Sequence, residues 1–135
     1  MNTQAFGSTI SSKKVQLTCI LVIDDDVEVA TTLYLLLNSE GYIVSKFISG
    51  REALADVSLT VPDIILLDYM LPGENVDDLI PRFRRKAGSD IPIILMSASF
   101  DAAHAARKLP VQRFLAKPFS REELIRAIHS IVEPI

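Results

Sequence analysis

Short apolar runs alternate with helical spacings along this chain. Residues 19–24 (CILVID), 42–47 (YIVSKF), 63–68 (DIILLD), 91–97 (IPIILMS) and 113–117 (RFLAK) predict five strands by length and Ile/Val/Leu content. The first, third and fourth are apolar at successive positions, which predicts parallel strands covered by helices on both faces. Between them, Val29, Leu33, Leu36 and Leu37 share one helical face that Gly41 closes, and residues 50–57 form a short second helix. Pro81 costs least in a first helical turn, so the third helix is expected to begin at Asp77 or Asp78, either of which can cap it. Pro110 ends a fourth helix. The last opens on Ser120 and Glu123 at capping-box spacing and presents Leu124, Ile128 and Ile131 on one face.

This rhythm predicts an α/β domain: an open, doubly wound parallel sheet with right-handed crossovers. Ligands of such sheets bind beyond the carboxyl ends of the strands. At those ends the sequence puts Asp24, Asp25 and Asp26 after the first strand, Asp68 after the third, Ser97 after the fourth and Lys117 after the fifth. Two carboxylates about 4 Å apart repel by about 4 kcal/mol at an effective dielectric near 20. Such a cluster must raise its own pKa values or take up a cation, and Lys117 offsets only part of the charge. A divalent, oxygen-ligated metal fits, and Mg²⁺ suits one or two carboxylates with waters and a phosphate oxygen. A carboxylate nucleophile beside it suggests phosphoryl transfer to an aspartate.

The ordered set ILVIDDD, IILLDYMLPG, IILMSAS and FLAKPF resembles the receiver domain of two-component response regulators over roughly residues 18–133. The resemblance implies a flavodoxin-like five-stranded sheet of order 2-1-3-4-5 with helices on both faces. It makes Asp68 the phospho-acceptor, Asp25 a direct Mg²⁺ ligand, Asp24 a ligand through water, and the Met70 backbone carbonyl the remaining protein ligand. It places Ser97 and Phe114 at the switch positions and Lys117 at the lysine that accompanies catalysis, with a commonly cis bond to Pro118. Asp26 has no role in that pattern and reads as a helix-start charge. The partners implied are a histidine kinase or histidine phosphotransfer protein and a downstream protein target. A homodimer through the face of the fourth helix, fifth strand and last helix is a further expectation. Residues 107–114 (RKLPVQRF) depart from the family's usual small-residue turn, which bears on that signalling face. Met70 and Ser99 fall where relatives tune phosphoryl lifetime, and neither is a general base for water.

The chain's 135 residues suit one domain, with a flexible lead-in expected over 1–17 and the receiver over 18–135. A net charge of −3 gives no reason to expect nucleic-acid or membrane binding, and the single cysteine, Cys19, fits a reducing compartment. No signal peptide or spanning segment is read, so a cytoplasmic, stand-alone receiver is expected, acting as an enzyme only on its own phosphorylation and dephosphorylation. Two readings compete. VIDDDV also resembles the opening motif of haloacid-dehalogenase-like phosphatases, with Asp24 as nucleophile and Asp26 as acid/base. The other is a receiver fold that is never phosphorylated and acts by binding alone. His104 and His129 read as surface histidines, and residues 82–86 (RFRRK) as a solvated helix face.

Overall fold

The computed structural model describes residues 18–98 and 107–132. The elements are β1 (Cys19–Ile23), α1 (Val27–Ser39), β2 (Ile43–Phe47), α2 (Gly50–Val57), β3 (Ile64–Asp68), α3 (Val76–Ala87), β4 (Ile93–Ser97), β5 (Arg113–Ala116) and α4 (Arg121–Val132). All strand pairs are parallel, in the order β2-β1-β3-β4-β5. The expected order is therefore present, with each strand a residue or two shorter than its apolar run. The lead-in over 1–17, residues 99–106 of the fourth predicted helix with Ser99 and His104, and part of the expected dimer face lie outside the described residues; residues 107–109, expected to carry that helix up to Pro110, form turns and a bend instead.

β3 and β4 are buried at every position. Their alternate residues feed two cores: Ile65, Leu67, Ile93 and Leu95 meet α2 and α3, while Ile64, Leu66, Ile94 and Met96 meet α1 and α4. That two-sided burial is why these runs lack polar alternation. β2 is an edge strand and is correspondingly more open, with Ile43 exposed.

Helix starts follow local chemistry. Asp26 caps α1 by accepting from the Glu28 and Val29 N–H groups, as its helix-start reading requires. Ser120 and Glu123 form the reciprocal capping box of α4, at 2.8 and 3.0 Å. The start of α3 corrects the expectation. Asn75, in an extended conformation, accepts from the Asp77 N–H at 2.9 Å and is the cap, so the helix begins at Val76. Asp77 and Asp78 occupy its first turn instead, and Pro81 falls beyond it, inside the helix. Pro81 is exposed, so its ring lies on the solvent side, where a missing backbone donor costs least.

The basic run on α3 divides. Arg82 and Arg85 are exposed as a solvated face requires. Arg84 instead donates to the Ile91 carbonyl and to Gln112, and Lys86 donates to Ser58 and the Leu54 carbonyl at the end of α2.

Candidate functional site

The strand register brings the predicted residues to one rim. Asp68 is the last residue of β3 and lies beside Met96, and Ser97 ends β4 beside Ala116. Lys117 follows at once, its N–H donating to the Ser97 carbonyl at 2.9 Å and its bond to Pro118 cis. Asp24 follows β1, its N–H still paired with the Phe47 carbonyl at 3.0 Å.

Asp24, Asp25 and Asp68 each offer a carboxylate oxygen within 4.8 Å of the others. Their environments differ. Asp24 is wholly buried: one oxygen accepts from the Asp26 N–H at 2.9 Å, and the other meets the Lys117 ammonium at 2.6 Å. Asp68 is 4% exposed, accepts from the Met70 N–H at 3.0 Å, and stands 3.4 Å from the same ammonium. Asp25 is exposed. Ser97 is buried beside them at its strand end. Phe114 is not at the cluster; it is half-buried on β5, packed against the α2/α3 core. Met70 is exposed, and His129 lies exposed on α4.

Two of the three carboxylates, Asp24 and Asp68, thus share one ammonium. Burial, then the negative charge of Asp24, pushes the Asp68 carboxyl up to about 6, against the opposing pull of the Met70 N–H and Lys117. Burial alone would lower the Lys117 pKa, but its hydrogen bond to Asp24 and the charges of Asp68 and Asp24 outweigh it. The net shift is upward, so the amine stays charged. An all-oxygen donor set with excess negative charge and one ligand open to solvent fits a hard divalent cation.

Two features escaped the sequence. The pairing of Lys117 with Asp24, rather than chiefly with Asp68, depends on burial that no motif encodes. Glu74 also reaches across to α2, accepting from the Gly50 and Arg51 N–H groups at 2.8 and 2.9 Å. Its partners are 24 and 23 positions away, and only the turn Pro72-Gly73 hints at the approach.

Residues 20–129 match the family model described as "Response regulator receiver domain". Among curated proteins, the chain is 34% identical over 113 residues to the DNA-binding response regulator MtrA of Mycolicibacterium paratuberculosis, covering 82% of this chain and 49% of that protein. It is 31% identical over 118 residues to the sensory transduction protein RegX3 of Mycobacterium bovis, covering 86% and 51%. The chain spans about half the length of these curated relatives. Among solved structures, a putative response regulator from Chloroflexus aurantiacus aligns with TM-score 0.78 and 32% identity, covering 86% of this chain and 98% of that one. The receiver domain of the sensor histidine kinase PA1611 from Pseudomonas aeruginosa, solved with a magnesium ion coordinated in its active-site cleft, aligns with TM-score 0.78 and 27% identity over the same shares. With an acid cluster and lysine at the strand ends, and a family match over most of its length, this chain belongs to the response regulator receiver domains.

Proposed function

We propose that Asp68 accepts a phosphoryl group from the phosphohistidine of a histidine kinase or histidine phosphotransfer protein, and that the domain then signals through protein contacts. The observation that carries this reading is the Asp68 carboxylate itself. It is nearly buried, faces a charged lysine at 3.4 Å, and sits in a three-carboxylate cluster that calls for a cation. A carboxylate oxygen of Asp68 attacks phosphorus; a P–O bond forms as the P–N bond breaks, and the electron pair leaves on the imidazole nitrogen, which is protonated. Asp25, Asp68 and the Met70 carbonyl, with Asp24 through water, would hold Mg²⁺. When bound, that ion supplies positive charge to the phosphoryl oxygens. Lys117 turns its ammonium toward the new phosphoryl group, and the Ser97 hydroxyl donates to one of its oxygens. Phe114 responds to the Ser97 movement by packing inward. Phosphorylation acts only as far as these contacts favour one state over the other.

The phosphatase reading fares worse on geometry. The Asp26 carboxylate is engaged in capping α1, and Asp24 is enclosed and tied to Lys117. The non-phosphorylated reading is tested by intact-protein mass after incubation with acetyl phosphate. One phosphoryl adduct is expected, labile to hydroxylamine, requiring Mg²⁺ and absent from Asp68→Asn. No adduct under any condition, with beryllofluoride also failing to bind, would leave a binding module.

A groove of about 500 Å³ flanks Lys117, walled by Val29, Thr32 and Leu36 of α1 and by Pro118 and Phe119. A helix of the phosphodonor protein covering this groove would bring its phosphohistidine to Asp68. Thr32 on its α1 wall gives the test: Thr32→Arg should slow transfer from a phosphohistidine protein roughly tenfold while leaving transfer from acetyl phosphate unchanged. Equal rates from the protein donor in both forms would place the docking surface elsewhere.

A further inference from the structure

The loop between Asp68 and α3 is held at three points. Leu71 is buried in the α2/α3 core, and its carbonyl accepts from the Glu74 N–H at 3.0 Å. Pro72 and Gly73 occupy the corner of that turn, Gly73 at φ +76, a conformation that favours glycine. The third point is the Glu74 side chain. Its two oxygens accept from the Gly50 and Arg51 N–H groups, the first two of α2, while Ser49 serves the third at Glu52. These donors have no partner within their helix, and a carboxylate there also meets the positive end of the helix dipole. The fit is close: a Cβ on Gly50 would lie 2.6 Å from a Leu79 methyl and 3.3 Å from the Glu74 carboxylate.

We propose that Glu74 is a positioning residue for the acid cluster: its carboxylate clamps the β3–α3 loop to the first turn of α2 and so sets where the Met70 carbonyl stands. The path is short. The turn hydrogen bond joins Glu74 to Leu71, which adjoins Met70, whose own N–H is bonded to Asp68. Without the clamp, among the described residues the exposed Pro72-Gly73 corner is held by Leu71 on one side and the Asn75 cap on the other. The inference rests on the reading of Asp68 and Met70 as Mg²⁺ ligands.

The test is Mg²⁺ affinity by isothermal titration calorimetry, with urea unfolding in EDTA, on wild type, Glu74→Ala, Glu74→Gln and Ser49→Ala. Glu74→Ala should weaken Mg²⁺ binding roughly tenfold, as loss of a group supporting metal ligands does. Glu74→Gln keeps one acceptor oxygen and should lie nearer wild type. Ser49→Ala loosens the same helix end from within and should lower stability without changing Mg²⁺ affinity. Glu74→Ala with unchanged affinity but reduced stability would overturn the proposal, making Glu74 a helix cap alone. Equal losses in the Gln and Ala variants would also overturn it, since a distant charge effect would suffice. Wild type that binds no Mg²⁺ would remove the metal reading and this inference together, an outcome distinct from either.

Discussion

In metal-free buffer, Lys117→Met is expected to lower the unfolding free energy by about 3 kcal/mol, because it leaves a buried charge without its partner. Asp24 is wholly enclosed, and the Lys117 ammonium at 2.6 Å is the one cation paired with it among the described residues. The Lys117 side chain is 21% exposed, so water can enter part of the space it leaves, which keeps the loss at the lower end of the usual range. Methionine retains much of the length and apolar stem of lysine, so packing is disturbed less than by alanine. The cluster then holds three carboxylates and no counter-charge. Mg²⁺ should therefore stabilise the Lys117→Met variant more than wild type, and bind it more tightly. Urea unfolding with EDTA and with Mg²⁺ checks both statements. A loss within experimental error, or an equal Mg²⁺ effect on both proteins, would show that Lys117 does not balance Asp24.

Asp68→Asn should act in the opposite direction. The native Asp68 carboxyl titrates at about 6 rather than 3.8, so the folded protein holds its proton more tightly than the unfolded chain does. Stability contributed by this group is therefore lost as pH rises through that interval, and above it the native state carries the full cost of an ionised, buried carboxylate. The rise corresponds to about 3 kcal/mol, a figure in which the attraction of Lys117 is already included, so a gain of about that order is expected for the Asn variant at pH 7–8. Asparagine retains an oxygen to accept from the Met70 N–H. Below about pH 4 both states of wild type are protonated and the gain should vanish. Added Mg²⁺ should narrow it at neutral pH by supplying the missing charge to wild type. A gain independent of pH would mean that ionisation of Asp68 is not its source.

The parallel, doubly covered sheet was legible because β1, β3 and β4 are buried on both faces and leave unbroken apolar runs, with polar residues only where the chain leaves the sheet; the strand order came from the family resemblance. The edge strands were less sharply marked. Ile43 is exposed, so its apolar side chain reports strand propensity rather than core position. Within GENVDD, three residues could cap a helix by type. Asn75 does so because the Pro72-Gly73 turn and the Glu74 clamp deliver the chain there in an extended conformation. The turn is a local signal, but the Glu74 contacts join distant segments, and no local pattern contains them. In the site, the sequence identified which groups gather but not their burial. Burial is what separates the exposed Asp25 from Asp24, tied to Lys117, and from Asp68 with its raised pKa. Arg84 and Lys86 show the same limit, since charge on a helix looks identical whether it meets water or a neighbouring carbonyl.

The measurement that bears most directly on the proposed function locates the phosphoryl group. Acetyl phosphate with Mg²⁺, followed by borohydride reduction, converts a phosphorylated aspartate to homoserine, which peptide mass spectrometry assigns to a position. Conversion at Asp68 alone, dependent on Mg²⁺ and strongly reduced in Lys117→Met, is the expected result. Conversion at Asp24 would point to the phosphatase-like chemistry instead, and protein that takes up phosphate at another residue would contradict the role assigned to Asp68.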